Sequence, residues 1–207
     1  FLIDVASGTG DIALTYSKKL SHKCKISCVE PNKEMLAMGQ KKLEIYDNIK
    51  WHKANAERLP FKDDTFDFYT ISFGIRNVNN INLTLKEAFR VLKTGGKFLY
   101  YDIFKSSDND IKYPMPWASR QDLSHLINIT ELEKIFNSIG FNLFSQKNQT
   151  NAGLSSIKQM LSHIKEFGPP KMGLNVLMGK DTKQKILNAF NHLDQGDLQL
   201  WSGIAEK

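Results

Sequence analysis

The chain opens on an apolar run interrupted by a single acid, Phe1-Leu-Ile-Asp-Val5-Ala6. That pattern suits a strand covered on both faces of a parallel sheet. Asp11 to Leu20 reads as a helix entered from a glycine-rich turn. Lys25 to Glu30 follows as a strand, and Lys33 to Tyr46 as a helix with Met35, Leu36, Met38 and Leu43 as its apolar positions. Short strands are expected over Lys50–Lys53, Asp67–Ser72 and Lys97–Asp102. Between the last two, Leu83–Leu92 reads as a helix stopped by Thr94-Gly95-Gly96. Such alternation predicts right-handed βαβ units around a parallel sheet.

The pattern changes after Lys105. Ser106–Asp110 is a polar loop, and Tyr113-Pro-Met-Pro-Trp117 suits neither a regular helix nor a central strand. Thr130–Ile139 reads as a helix with Thr130 and Glu133 as its capping box. Gly140 then leads to a strand over Phe141–Lys147. Helices are expected over Ser155–Phe167 and Asp181–Leu193, separated by Pro169-Pro170, with a last strand over Leu198–Ala205. The chain begins with Phe1 inside a strand, which predicts that further sequence precedes it.

Composition narrows the classes. With 41% hydrophobic and 24% charged residues the chain has ordinary globular proportions. No apolar run approaches the roughly 20 residues of a bilayer span. The net charge of +6 comes from scattered lysines rather than a basic stripe interleaved with aromatics, which argues against nucleic acid as partner. Cys24 and Cys28, four apart along a strand, are spaced too far for a disulfide and lack companions for zinc. They predict reduced thiols and a cytoplasmic setting. If the organism is eukaryotic and a transit peptide precedes Phe1, the mitochondrial matrix side is the alternative. The five histidines show no metal spacing, and His125 is the best placed of them to act as a base.

The chemistry concentrates in Asp4-Val-Ala-Ser-Gly8-Thr9-Gly10-Asp11, directly after the first strand and opening a helix. Glycines there permit a tight turn and close backbone approach to a ligand, and Glu30 ends the next strand, where a carboxylate can take both hydroxyls of a ribose. The third glycine of the dinucleotide fingerprint is missing. A nucleoside carrying an amino-acid tail therefore fits better than a dinucleotide.

Five segments together resemble class I S-adenosyl-L-methionine-dependent methyltransferases. They are the Asp4–Asp11 turn, Glu30-Pro-Asn-Lys-Glu-Met35-Leu, Asn55-Ala56-Glu57-x-Leu-Pro60-Phe61, Ser72-Phe-Gly-Ile-Arg76-Asn77-Val78 and Arg90-Val-Leu-Lys-x-Gly95-Gly96. More narrowly, the stretch to about Lys105 is similar to the ubiquinone/menaquinone biosynthesis C-methyltransferase family, with Ser72–Val78 its most specific piece. The resemblance implies a doubly wound, seven-stranded, mostly parallel α/β sheet with an antiparallel last strand. It also implies one domain, with a cofactor half (1–105) and an acceptor half (106–207). Gly8, Thr9 and Gly10 would hold the methionine part of the cofactor and Glu30 the ribose, with Asp4, Ala6, Pro31 and Phe73 as further cofactor contacts. Met35, Asn55 and Ala56 would meet the adenine, with Ser72 near the methionine end. Arg76 and Asn77 would face the acceptor, a small molecule such as a lipophilic quinone precursor. Arg76 would steady a phenolate, and Asp102 or Tyr101 would take its proton. Such an acceptor favours peripheral membrane contact without an integral span.

Beyond Lys105 the sequence leaves that pattern. Tyr113–Trp117 and Gly173–Gly179 look more like small-molecule methyltransferases related to glycine/sarcosine N-methylases, which keeps an N- or O-methylated metabolite as the alternative acceptor. A non-catalytic cofactor-binding protein is the third reading. Tyr113, Trp117 and Phe104 are the candidate walls of the acceptor pocket.

Overall fold

The computed structural model describes residues 1–20, 23–168, 179 and 181–207. Seven strands form one sheet in the order β3-β2-β1-β4-β5-β7-β6. β1 (Leu2–Val5) is buried at all four positions and lies parallel between β2 (Ile26–Val29) and β4 (Phe66–Ser72). β3 (Ile49–His52) extends one side and β5 (Leu92–Lys105) the other, both parallel to their neighbours. β7 (Leu198–Glu206) runs antiparallel between β5 and the edge strand β6 (Asn142–Asn148). The expected doubly wound sheet with its reversed last strand is the one observed.

Helices cover both faces. α1 (Asp11–Lys19) and α2 (Lys33–Lys42) enclose Leu2, Ala13, Ile26, Cys28, Leu43 and Ile49. On the same face, α5 (Thr150–Phe167) and α6 (Thr182–Asp194) pack over β5 and β7 around Ile103, Ala189, Leu193 and Leu200. α3 (Ile81–Val91) and α4 (Ile129–Ile139) take the opposite face. There Tyr69, Phe98, Phe136 and Phe141 form a buried aromatic core with mainly edge-on and stacked contacts. α3 faces this core with Thr84, Leu85, Ala88 and Val91, a one-sided stripe at helical spacing.

Several boundaries differ from expectation, each for a local reason. α2 stops at Lys42 rather than Tyr46, because Leu43 leaves helical geometry and successive turns through Tyr46 return the chain to β3. Gly95-Gly96 does not end α3. The helix ends at Val91, Leu92 already pairs with Phe66, and the glycines lie in a bulge of β5 where Gly95 has φ +77°. α4 is capped by the Asn128 side chain, which accepts from Glu131 N–H at 2.8 Å, rather than by Thr130. α5 begins already at Thr150, whose N–H donates to the Asn148 side chain. Cys24 precedes β2 instead of lying on it, and both cysteines are free. The expected Pro169-Pro170 break and most of the 173–179 segment lie outside the described residues.

Candidate active site

β1 and β4 are neighbours whose following helices pack on opposite faces, so a crevice opens beyond their carboxyl ends, the place where open α/β sheets bind ligands. β1 leaves the sheet through Ala6 (φ 55°), Ser7, Gly8 (φ 56°), Thr9 and Gly10 (φ 81°). β4 leaves through Phe73 (φ 57°). Ala6 and Phe73 are thus two side-chain-bearing residues in left-handed backbone flanking one crevice, a conformation that persists only where the surroundings enforce it. Between them lies a cavity of about 260 Å³ lined by Asp4, Ala6, Ser7, Asp11, Ser72 and Phe73. Gly10 admits no side chain: a Cβ there would lie 2.6 Å from Leu43 and 3.0 Å from Trp51.

Two buried carboxylates edge this crevice. Glu30, just past β2, accepts from Gly8 N–H at 2.8 Å through Oε2 and from Asn32 N–H at 2.9 Å through Oε1. Both oxygens keep a lone pair for vicinal hydroxyls. Asp4 is 1% exposed; its Oδ1 accepts from the Thr70 hydroxyl at 2.7 Å, while its Oδ2 has no hydrogen-bond partner. Burial pushes its carboxyl up to about 6 against the lowering effect of the Thr70 and Ser7 hydroxyls, with the Glu30 charge adding to the rise. An orphaned buried oxygen lining a small cavity suits an ammonium group. These residues fit S-adenosyl-L-methionine: hydroxyl acceptors at Glu30, an ammonium acceptor at Asp4, and an open glycine backbone between.

The other expected cofactor residues divide. Met35 comes to 3.7 Å from where a Gly8 Cβ would stand. The Thr9 hydroxyl is engaged by Asp11 at 2.9 Å. Pro31 is exposed beside Glu30, and Asn55 is exposed in the loop after β3. Ala56 packs into the core, and neither Asn55 nor Ala56 lines the cavities described here.

A second cavity, of about 640 Å³, adjoins the first at Phe73, which lines both. Tyr101, Ile103 and Leu200 form its sheet side, Ile157 and Met160 of α5 and Ile186 and Leu193 of α6 its helical side. Among the described residues Arg76 is the charged group in this apolar wall. Its guanidinium lies between the rings of Phe73 (4.8 Å) and Trp117 (4.5 Å) and ion-pairs through Nη1 with Asp102. Its Nε is buried without a partner. Asp102 is fully buried and also accepts from Ile75 N–H (2.7 Å) and Ile103 N–H (2.8 Å). Its oxygens are therefore occupied behind Arg76, and the geometry makes it the residue that positions Arg76 instead of a proton acceptor open to the cavity.

Asn77 and Trp117 line the cavity, and the Asn77 side chain donates to Phe73 O at 3.1 Å. Two expected wall residues do not reach it. Phe104 points to the opposite sheet face, into the aromatic core, because side chains alternate along β5. Tyr113 packs at the edge of the Ile103 cluster, outside the lining. His125 is tied to Arg76 through its backbone, donating to Arg76 O at 3.0 Å, and its ring does not line the cavity. Tyr101 does line it, and burial pushes its phenol up, so it faces the cavity as a neutral hydroxyl. Asn32 and the α5–α6 wall were not singled out from sequence. Asn32 carries a recognisable N-cap signal, accepting from Glu34 and Met35 N–H, whereas the wall residues read only as ordinary apolar helix positions.

Residues 1–117 match the model of the ubiE/COQ5 methyltransferase family. The chain belongs to that family. Its curated relatives include the ubiquinone/menaquinone biosynthesis C-methyltransferase UbiE of Rickettsia massiliae, 48% identical over 117 residues, covering 54% of this chain and 47% of the relative. The protein of the same name from Rickettsia prowazekii is 50% identical over the same length, with the same coverage. This family member thus spans about half the length of the curated relatives it matches. Among solved structures, a putative sarcosine dimethylglycine methyltransferase from Galdieria sulphuraria superposes with a TM-score of 0.83 at 15% identity, over 100% of this chain and 77% of the other. The geranyl diphosphate C-methyltransferase of Streptomyces coelicolor, solved with S-adenosyl-L-homocysteine, gives 0.76 at 14% identity, over 99% and 71%. At such identities these two show the shared fold of the family member. Among its described residues no helix is long and apolar enough to cross a membrane.

Proposed function

We propose that the protein transfers a methyl group from S-adenosyl-L-methionine to a carbon of a lipophilic, phenol-bearing acceptor of the quinone-precursor type. The observation that carries this reading is the pairing of two adjoining cavities: a small one at the β1/β4 crevice edged by Asp4, Ser7, Asp11 and Ser72, and a larger apolar one with an aromatic-flanked arginine. When bound, S-adenosyl-L-methionine supplies a methyl group on a positively charged sulfur. The chain's own residues would do the rest. Glu30 accepts ribose hydroxyls, Asp4 the amino-acid ammonium, and Gly8 to Gly10 let the backbone close on the tail. Met35 would flank the base, with Ser72 and Phe73 at the junction.

On the acceptor side, Arg76 would stabilise a phenolate through charge, with Asp102 holding its guanidinium and Phe73 and Trp117 fixing its plane. Holding donor and acceptor in adjoining cavities supplies orientation, which is most of what such a displacement requires of the protein. Residues 1–105 would thus serve the donor and supply the acceptor site's charged group, while 106–207 would add Trp117 and the α5–α6 wall. A small hydrophilic amine, the alternative acceptor, would leave most of a 640 Å³ apolar cavity unfilled. An apolar tail on the acceptor also favours work at a membrane surface without an integral span.

Calorimetric titration with S-adenosyl-L-methionine, and separately with NADH, tests the donor assignment. The expected result is micromolar binding of the methyl donor alone, abolished by Glu30→Ala. Methyl transfer assayed on a prenylated hydroquinone and on sarcosine then decides the acceptor, with transfer to sarcosine alone overturning the lipophilic reading.

A further inference from the structure

The most heavily buried polar cluster outside the site lies at the carboxyl end of α6. Asn188 and His192, one helical turn apart, are 3% and 8% exposed, and Asp197 just before β7 is 5% exposed. Buried polar groups persist where their hydrogen bonds are made, and here nearly all of those bonds go to one stretch of chain. The Asn188 side chain donates to Pro114 O at 2.9 Å. His192 Nε2 accepts from Lys112 N–H at 2.9 Å. That acceptance leaves the proton of the neutral ring on Nδ1, which donates to Asp197 Oδ2 at 2.8 Å. Asp197 Oδ1 in turn accepts from the Ser107 hydroxyl (2.9 Å) and the Asn109 amide (2.7 Å).

The segment from Ser107 to Pro114 is therefore stitched at four successive places, twice to Asp197 and twice to α6 through His192 and Asn188, across 74 to 90 residues of sequence. Two residues past the last stitch, Pro116 and Trp117 enter the wall of the larger cavity, and Trp117 lies over the Arg76 guanidinium. An apolar contact would tolerate sliding of this segment along α6; paired donors and acceptors allow only one register. We propose that Asn188 and His192, braced by Asp197, are positioning residues for the acceptor site, fixing where Trp117 closes over Arg76. The kinetic part of this inference rests on the methyl-transfer reading; the structural part does not.

The test uses His192→Leu, Asn188→Leu and His192→Gln, whose side-chain oxygen can still accept from Lys112 N–H. In ¹⁵N-labelled protein, the Trp117 indole resonance (assigned by its loss in Trp117→Phe) and exchange of the Lys112 amide report the wall directly. The expected result is a shifted indole signal and Lys112 exchange at least about tenfold faster in the two leucine variants, with His192→Gln restoring both. In methyl-transfer assays, acceptor KM should rise about tenfold while donor Kd stays within about twofold. If His192→Leu does not fold, Asn188→Leu and His192→Gln still give the readings. Folded leucine variants with unchanged indole signal and Lys112 exchange would overturn the proposal, as would equal weakening of donor and acceptor. A wild type that binds no donor defeats the methyl-transfer reading alone, and leaves the spectroscopic comparison to decide.

Discussion

Replacing Asp4 by Asn separates what this residue does for the fold from what it would do for the ligand. The folded Asp4 carboxyl is pushed up to about 6 from an ordinary 3.8, chiefly by burial. Below pH 3.8 both folded and unfolded chains hold the proton, and the residue imposes no penalty. As the pH rises, the unfolded chain ionises first and the folded one lags, so stability falls until the pH passes about 6 and then stays low. At roughly 1.36 kcal/mol per pH unit the full loss is about 3 kcal/mol, most of which develops between pH 4 and pH 8. Asn does not ionise, and its oxygen can keep the Thr70 hydrogen bond. The stability difference between Asp4→Asn and wild type should therefore grow by about 2–3 kcal/mol across that range, read as diverging urea midpoints. Effects that do not depend on pH cancel in this double difference. The same variant should bind S-adenosyl-L-methionine about ten- to a hundredfold more weakly, the range for losing a charge-assisted hydrogen bond of about 1.5–3 kcal/mol. A stability difference that stays flat with pH would refute the reasoning.

Further outcomes follow from neighbouring contacts. Asp102→Asn should lower melting stability by about 3–5 kcal/mol, since it leaves the buried Arg76 charge unpaired; conservative behaviour in chemical denaturation would contradict that. Arg76→Met should reduce methyl transfer at least about a hundredfold with donor affinity intact, as read by calorimetry beside a radiolabel transfer assay. Gly39→Ala places a methyl 2.2 Å from the Trp51 ring and should destabilise by about 1–3 kcal/mol in urea titration. Ile157→Trp, intruding on the larger cavity, should abolish acceptor turnover while leaving donor titrations unchanged.

The crevice at the end of β1 was legible in sequence because its signals are local. The Asp4–Asp11 turn follows its strand directly, Glu30 ends the next strand, and a buried apolar run such as Leu2–Val5 admits few other readings. The larger cavity depends on contacts between distant positions. Nothing near Pro114 announces that Asn188 will hold its carbonyl, and alternation along β5 was needed to send Phe104 away from the cavity while keeping Ile103 in it. Boundaries failed where two signals competed. Asn128 and Thr130 are both good caps, and it is the Asn128 side chain that takes the Glu131 N–H. The glycine pair after α3 served a strand bulge rather than a helix stop, since β4 already offered Leu92 a partner.

The larger cavity sets Ile157, Met160, Ile186 and Leu193 on α5 and α6 against Phe73, Arg76, Tyr101, Ile103 and Trp117 from earlier in the chain. The family match ends at residue 117, before either helix begins. Point mutations in those helices can therefore enlarge, narrow or reline the chamber without disturbing the glycine turn or Glu30. This decouples two kinds of change: the turn and carboxylates at the β1 crevice can be held constant while substitutions in α5 and α6 reshape the chamber for new molecules.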